Sequence, residues 1–345
     1  MDINYYIFCP ENVATGGTEL LHQFADYLNS ESKYDAFIIY YNSKDEIVNA
    51  EVPERFKIYN TKSTTNIVDS PNNIIVLPEV CYYFSKKFNK TRFLFWWLSY
   101  DNYLDSATIL FSIKNLFNKT LTLKQFLINL YLKKRSRIFS INDIRKINDR
   151  VIHGYQSQYA HDKLFELGFY NQLPLSDYIS TKFLETDFSN QSPNEREDII
   201  LYNPAKGIEV TRKILEKAEH KNYKFIPLKN LNQSQLADLF SRAKLYIDFG
   251  NHPGKDRLPR EAALQGCLIL VGNRGSAQYF EDVLINENCK VNNKNIDQII
   301  NKIEYLLNNY EVESKKTDLY KAKIKKEKKI FFEELDFVLN VFEKV

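Results

Sequence analysis

The sequence is poor in several residue types, and each absence argues against a class of protein. Only ten glycines, ten prolines and four cysteines occur among 345 residues, and no cysteine lies in a CxxC motif or at zinc-ligand spacing from a histidine. We therefore expect neither a disulfide framework nor a zinc site, and we interpret Cys9 and Cys267 as small buried hydrophobic residues. The formal net charge is only +3, which argues against a general nucleic-acid-binding protein.

Long hydrophobic runs are also missing. The apolar run 93–98 is far too short to cross a bilayer. The N-terminal sequence MDINYYIFCPENV has no basic region and no long apolar core, so it predicts a first strand and not a signal peptide. We therefore expect a cytoplasmic protein, and its length allows two domains with a core each.

Short apolar runs alternate with longer amphipathic segments, and this pattern predicts α/β domains with parallel sheets. A helix over 157–167 is predicted to end at Gly168. The polar segment 187–198 predicts a linker between a domain at 1–187 and a domain at 188–325, and a closing helix over 326–345 is expected to return to the first domain. Strands are predicted near residues 5–9, 36–41, 74–77, 93–97, 137–140, 151–153, 199–202, 224–227, 244–249 and 267–271.

Residues 246–282 carry the clearest functional signal. They predict two consecutive strand–loop–helix units, whose loops lie at the carboxyl ends of parallel strands, where open α/β sheets bind ligands. Lys255, Arg257 and Arg260 stand at the start of the first helix, where positive charge opposes the helix dipole unless an anion is bound. The loop therefore predicts a phosphate site. The alternative is an ion-pair cluster of these cations with Asp256 and Glu261.

The chain resembles the GT-B glycosyltransferases, and specifically their glycosyltransferase family 4-like group. The resemblance rests first on residues 199–214, IILYNPAKGIEVTRKI, with the pair Lys206–Gly207, and on residues 225–249, FIPLKNLNQSQLADLFSRAKLYIDF. Glu261, the loop 275–277 and the N-terminal sequence TGGTE at 15–19 follow in the family's order. The resemblance is strong over 198–283 and weak over 40–150.

The resemblance implies a GT-B fold of two Rossmann-like doubly wound parallel-sheet domains facing a cleft. It also implies a nucleotide-sugar donor, no required cofactor and no metal. Glu261 takes the position that meets the ribose hydroxyls. Pro253 stands eight residues earlier, where the family has another glutamate, so retention or inversion stays open. The donor-binding residues that the resemblance implies are Gly16, Gly17, Thr18, Asn203, Lys206, Gly207, Lys229, Gly254, Lys255, Arg257, Arg260, Glu261, Gly275, Ser276 and Ala277.

Two residues are candidates for catalysis. His252 lies in the phosphate-type loop, where it could donate a hydrogen bond to the sugar or to the leaving phosphate. Asp101 follows an apolar strand and is the best carboxylate of the first domain for a general base. The aromatic and polar residues around it are typical of sugar binding. The predicted acceptor site comprises Trp97, Tyr100, Asp101 and Asn102. Alternatively, Trp97 is a core residue and Asp101 is the N-cap of the next helix.

The segment 106–137 has seven Lys or Arg and no Asp or Glu, with Leu, Ile and Phe interleaved. It predicts either a helix that contacts anionic lipid or a solvated basic face over an apolar stripe. The lysine run 315–329 is interpreted as a solvated helix face.

Together these observations predict a glycosyltransferase that moves a sugar from a nucleotide-sugar donor to a glycan or lipid-linked glycan acceptor. The expected setting is bacterial surface polysaccharide synthesis, such as capsule or lipopolysaccharide, at the inner face of the cell membrane. Two alternatives stay open: a sugar-nucleotide epimerase on the same scaffold, and a catalytically degenerate transferase that acts as a partner subunit.

Overall fold

A computed structural model describes residues 3–107, 123, 127, 139–185 and 196–344 of the chain. The chain divides into two compact units. Unit 1 comprises residues 1–156, 160–175 and 334–345, and unit 2 comprises residues 157–159 and 176–333.

Unit 1 is built on a parallel sheet whose strand order is β3-β2-β1-β4-β5-β6-β7. The order reverses between β1 and β4, so the loops after these two strands diverge to opposite faces of the sheet and leave a crevice at their carboxyl ends. The strands are β1 Asn4–Pro10, β2 Asp35–Tyr41, β3 Lys62–Ser63, β4 Ile74–Pro78, β5 Arg92–Trp97, β6 Val151–Tyr155 and β7 Gln172–Pro174. Among the described residues, the α-helices that precede β7 are α1 Gly16–Glu31, α2 Tyr100–Ala107, α3 Ile141–Lys146 and α4 Gln158–Glu166.

Unit 2 has a second parallel sheet, with strand order β12-β11-β10-β8-β9. Its order reverses between β8 and β10. The strands are β8 Glu197–Tyr202, β9 Lys224–Pro227, β10 Ala243–Asp248, β11 Leu268–Gly272 and β12 Lys290–Val291. The other α-helices in the described part of the chain are α5 Thr181–Glu185, α6 Ile208–Lys217, α7 Gln233–Arg242, α8 Arg257–Leu264, α9 Ile296–Asn308, α10 Tyr310–Lys315 and α11 Asp318–Lys344.

The central strands are apolar along their length because helices cover both faces of a doubly wound sheet. In β10, Leu245, Tyr246 and Ile247 are all fully buried. Helix α9 contributes a stripe at helical spacing, in which Ile299, Ile303 and Leu306 are buried. The predicted fold class, α/β with two parallel sheets, is confirmed.

The sequence did not predict the three shortest strands. Strands β3, β7 and β12 have only two or three residues and leave no periodic signal. Of the predicted strand 137–140, residues 137–138 lie outside the described residues, and Ser140 is the N-cap of α3. Of the predicted linker 187–198, residues 187–195 lie outside the described residues, while β8 already begins at Glu197. The predicted cap is confirmed: Gly168 has φ +81° and its N–H donates to the carbonyl of Phe165 at 3.0 Å.

Helix α11 is longer than the sequence predicts and contributes to both units. In unit 1, the Tyr27 hydroxyl donates to Asp336 at 2.6 Å, and Arg92 donates to the Phe342 carbonyl at 2.6 Å. In unit 2, Phe331 packs against Tyr178 with ring centroids 5.5 Å apart. Within the described residues, no helix combines the length and the apolar composition needed to cross a membrane.

Candidate functional site

The loops at the switch point of unit 2 pack against each other without intervening side chains. Gly207 begins α6 with φ +61°, and a Cβ built there would lie 2.4 Å from the carbonyl carbon of Phe249. A Cβ on Gly250 would lie 2.8 Å from that of Lys206. Glycine is therefore required where the loop after β8 meets the loop after β10. The structure thus brings Lys206 and Gly207 to the phosphate-type loop, 250–257.

A cluster of four charged side chains holds these two loops together. Lys206 Nζ lies 2.5 Å from Asp256 Oδ1, and the other oxygen of Asp256 lies 3.0 Å from His252 Nδ1. His252 Nε2 is 3.2 Å from the carbonyl oxygen of Asp248, whose side chain accepts the Gly250 N–H at 2.9 Å. Asp248 is buried and bonded to a loop N–H, as its position in an apolar strand predicts.

The surroundings of this cluster favour the charged forms of His252 and Asp256 and the neutral form of Asp248. Burial lowers the pKa of His252, but the carboxylates of Asp256 and Asp248 outweigh this effect and raise the pKa above its ordinary value. Burial would raise the pKa of Asp256, yet Lys206 and His252 hold it well below its usual range. Burial raises the pKa of Asp248. Asp256 is therefore an anion at neutral pH, and Lys206 and His252 neutralise it.

The geometry of His252 fits an ordering role better than a catalytic one. Its side chain is 1% exposed, and each ring nitrogen faces an oxygen acceptor. An imidazole that donates from both nitrogens to these oxygens has no N–H left for the predicted hydrogen bond to the sugar or the leaving phosphate. Its backbone has φ +46°, which its contacts with Asp248 and Asp256 hold in place.

The three cations of the phosphate-type loop are arranged differently from the prediction. Arg260 is fully buried and donates to Asp177 at 2.7 Å and to Glu327 at 2.8 Å. Lys255 Nζ lies 2.8 Å from Glu327, and Arg257 Nε lies 3.9 Å from Asp177. The predicted donor contact is therefore wrong for Arg260, because its guanidinium cannot reach a ligand.

The alternative of an ion-pair cluster is right in kind, but Asp256 is not the carboxylate that Arg260 pairs with. Asp177 and Glu327 serve as the counter-ions, and Asp256 pairs with Lys206 instead. Sequence reasoning does not single out either acid, because both are remote from the loop in the chain. Glu327 has one available signal: with Ile324 and Phe331 it lies on the buried stripe of α11. The prediction that residues 315–329 form a solvated helix face is therefore wrong at Glu327.

The loop 275–277 packs against the phosphate-type loop and hydrogen-bonds to it. Gly275 has φ +54°, and a Cβ there would lie 2.2 Å from the carbonyl oxygen of His252. Ser276 donates from its N–H to the carbonyl of His252 at 2.9 Å and from its hydroxyl to the Gly254 carbonyl at 2.7 Å. Ser276 and Ala277 are buried, so their side chains position the loop.

The other predicted donor residues of unit 2 surround the same sheet edge. Asn203 follows β8, and its side chain accepts the Ala205 N–H at 3.0 Å. Lys229 follows β9, the neighbour of β8 in the sheet. Glu261 lies in α8 and is 7% exposed. Lys206 keeps 36% of its side chain exposed and is the most accessible cation of the charged cluster.

One group of side chains has the donor atoms of a cation site. Asp248, His252 and Asp256 offer ligand atoms within 4.8 Å of one another. The space between them is already neutralised, since Lys206 contacts Asp256 directly. A divalent cation would have to displace the ammonium group of Lys206, and it could be coordinated by His252 only if the imidazole is neutral.

In unit 1, the predicted glycine loop begins α1 at the switch point of that sheet. Thr15 is the N-cap, and it forms a reciprocal capping box with Thr18. The Thr18 hydroxyl is engaged in this box and the residue is only 5% exposed, so Gly16 and Gly17 supply the approachable backbone.

The predicted acceptor residues separate into buried and accessible ones. Trp97 is fully buried and donates to His153 Nδ1 at 3.0 Å, so the prediction that it stacks on a sugar is wrong. Tyr100 is 9% exposed. The N-cap of α2 is Ser99, whose hydroxyl accepts the Asn102 N–H at 3.1 Å, and the alternative of a capping Asp101 is also wrong. Asp101 and Asn102 lie in the first turn of α2 and are more accessible.

Sequence reasoning missed a buried carboxyl beside them. Glu79 directly follows β4, and its Oε2 accepts the Leu98 N–H at 3.1 Å. Burial raises the pKa of Glu79 to about 7, although hydrogen bonds from Leu98, Ser99 and Asn102 oppose the rise. The acid thus links the carboxyl ends of β4 and β5. An acid directly after an apolar strand is the signal that could have indicated it.

The close approach at Gly207 gives a prediction with a matched control. Replacing Gly207 by alanine forces a Cβ against the Phe249 backbone, and overpacking of this kind costs about 1–3 kcal/mol beyond the left-handed strain itself. Gly168 has the same sign of φ but no atom within 4 Å of its Cβ position. We expect Gly207→Ala to lower the urea midpoint more than Gly168→Ala. Equal losses would show that the two loops separate without cost.

Comparisons with known proteins establish the fold. No family model and no curated protein matches the sequence. A glycosyltransferase from Rickettsia africae ESF-5 is 12% identical, with a TM-score of 0.61 over 99% of this chain and 98% of its own. Sucrose-phosphate synthase from Thermosynechococcus elongatus is 12% identical, with a TM-score of 0.61 over 100% of both chains. HepE of Anabaena, solved with UDP and glucose, is 8% identical, with a TM-score of 0.62 over 97% of this chain and 99% of its own. The predicted GT-B fold is thereby confirmed.

Proposed function

We propose that the protein is a glycosyltransferase that transfers a sugar from a nucleoside-diphosphate sugar to a glycan or lipid-linked glycan acceptor. One observation carries the proposal most directly: the switch point of unit 2 has two glycine-containing loops in backbone contact, with the partly exposed Lys206 beside them. Such loops place N–H groups and a cation where a diphosphate binds. The fold comparisons support the same reading, since HepE is solved with UDP and glucose.

Each residue of the site has a distinct proposed role. Lys206 and the N–H groups of Gly207 and the 250–257 loop neutralise the departing diphosphate, which is the largest electrostatic demand of the reaction. Glu261 accepts hydrogen bonds from the ribose hydroxyls. His252 and Asp256 hold the loop in place before the donor arrives, so that little reorganisation is needed during transfer.

Binding of the donor half is the first test. We expect UDP, or another nucleoside diphosphate, to raise the melting temperature, because a ligand that binds only the folded protein stabilises it. Lys206→Met should weaken nucleotide binding about tenfold or more in calorimetry, the effect of losing a charge-assisted hydrogen bond. Lys244→Met is the control, because Lys244 forms an ion pair of similar length with Asp198, at 2.6 Å against 2.5 Å for Lys206 and Asp256. If no nucleoside diphosphate binds at millimolar concentration, the donor site is refuted.

Turnover separates the proposed activity from its rivals. Incubation with a nucleotide sugar and candidate acceptors should release nucleoside diphosphate and extend the acceptor. Release of an altered nucleotide sugar without acceptor would indicate an epimerase, and tight binding without any turnover would indicate a degenerate partner subunit.

We also propose which residues contact the acceptor and in which class of pathway the protein acts. Asp101 and Asn102 are the accessible candidates for acceptor contact, with Asp101 as general base if transfer inverts. We propose surface polysaccharide synthesis as the pathway class, with no metal required. The predicted lipid contact of segment 106–137 falls on residues of which nearly all lie outside the described part of the chain, and it stays a prediction from composition.

A further inference from the structure

Unit 1 contains a cavity at the opposite end of its strands from the predicted donor residues 16–18 and the predicted acceptor residues 97–102. Its volume is about 710 Å³, and Arg92 and Val151, the first residues of β5 and β6, line it. Asn171, which immediately precedes β7, lines it as well. The cavity therefore lies at the amino ends of the strands, whereas ligands of open α/β sheets are normally bound at the carboxyl ends. The volume suits one small molecule.

Two arginines line this cavity without a carboxylate partner among the described residues. Arg92 donates to the carbonyls of Pro71 and Phe342, and Arg150 donates from Nη1 to the carbonyls of Phe88 and Thr91. These bonds leave Arg92 Nη2 and both Nε and Nη2 of Arg150 without an acceptor in the described chain.

The charge balance of the cavity is positive. Asp149 is the single acid of the lining; it is exposed and forms no ion pair with either arginine within the described residues. Two other guanidinium groups show the contrast, since Arg260 bonds to Asp177 and Arg242 to Glu197. Two arginines with spare donors in one concave site are the arrangement that binds an oxyanion.

The rest of the lining suits a sugar ring. Tyr170 is 71% exposed at the cavity, so one ring face is accessible for stacking on an apolar sugar face. Asn148 and Asn171 are linked by a bond of 3.4 Å, which leaves an N–H of Asn148 and a lone pair on the Asn171 oxygen for hydroxyl groups.

We propose that this cavity is a second ligand site, which binds a sugar carrying one oxyanion, either a phosphate ester or a uronate. The oxyanion contacts Arg92 and Arg150, and the ring packs against Tyr170. The lining residues belong to unit 1 and lie near the amino ends of β5, β6 and β7 and on α11, whereas the predicted donor residues of that unit, Gly16, Gly17 and Thr18, follow the carboxyl end of β1. The proposal stands whether or not the chain is a transferase.

Calorimetry on the full chain tests the site with four probes: glucose 6-phosphate, galacturonate, glucose and inorganic phosphate. We expect one or both acidic sugars to bind, and the comparison of these two shows which oxyanion is preferred. Neutral glucose should bind at least tenfold more weakly, the effect of losing charge-assisted bonds. Saturating UDP should leave this binding unchanged.

Two surface variants sharpen the test without disturbing the arginines. Tyr170→Ala should weaken binding of the acidic sugar about fivefold, since it removes the stacking face. Asp149→Asn should tighten it, because a repelling charge is lost. Phe337→Ala is the control, since Phe337 is 52% exposed and does not line the cavity. The proposal is overturned if neither acidic sugar binds at about ten millimolar, if phosphate alone binds equally well, or if Tyr170→Ala behaves like Phe337→Ala.

Discussion

Replacing Arg260 by methionine should destabilise the protein by about 3–5 kcal/mol, the range measured when one member of a buried ion pair is removed. Arg260 is fully buried within unit 2. Its guanidinium bonds to Asp177 and Glu327, which are themselves only 1% and 2% exposed. Without the guanidinium, Lys255 and Arg257 are left to neutralise both acids. Unfolding by urea, followed by circular dichroism, measures the loss.

A surface arginine provides the matched control. Arg242 also contacts two acids, Glu197 and Asp238, but its side chain is 47% exposed. Arg242→Met should therefore cost no more than about 1 kcal/mol. Adding Asp177→Asn to Arg260→Met should recover part of the loss, because it removes an orphaned carboxylate. Equal effects of the two arginine substitutions would contradict the buried network.

The pH dependence of Arg260→Met follows from the same contacts. Burial would raise the pKa of Asp177, but Arg260 and Lys255 hold it below its ordinary value of 3.8. A carboxyl with a lowered folded pKa stabilises the protein above its unfolded pKa, and this contribution disappears as the pH falls through the folded pKa. The deficit of Arg260→Met should therefore be largest near neutral pH and should shrink below about pH 4, as Asp177 takes up a proton.

Glu79→Gln should stabilise the protein at pH 8 by up to about 3 kcal/mol and have little effect at pH 4. Burial raises the pKa of Glu79 from 4.5 to about 7. Between these values the unfolded chain has lost the proton and the folded protein has kept it, so stability falls as the pH rises. The loss in the free energy of unfolding is about 1.4 kcal/mol for each pH unit between the unfolded and the folded pKa. Glutamine removes the penalty because it does not ionise.

Glu313 is a control of opposite sign. It is also buried, but its bonds to Lys316 and Tyr305 lower its pKa below 4.5 despite burial. Glu313→Gln should therefore lose stability above pH 5, where Glu79→Gln gains it. Thermal unfolding of both variants from pH 4 to pH 8 measures the comparison. If the Glu79→Gln gain is the same at every pH, Glu79 is ionised in the folded protein and its burial imposes no penalty.

The sequence by itself determined the fold class and the principal loops. Apolar runs such as those of β1, β5 and β10 pair in parallel because helices must cover both of their faces, and this requirement is visible as a continuous run. The loops at Lys206–Gly207 and 250–257 were also predictable, because glycine and charge directly follow these runs. Strands β3 and β12 were not, since a two-residue edge strand has no periodicity of its own.

Only the tertiary structure decided which charges meet. Arg260 and Lys206 look equivalent in the sequence, because each follows a strand and stands at the start of a helix. Arg260 meets Asp177 and Glu327, which are 83 and 67 residues away in the chain, and is sealed in the interior. Lys206 keeps 36% of its side chain exposed beside Asp256. Ion pairs form between residues that the packing of helices and loops brings together, and sequence spacing does not encode that packing.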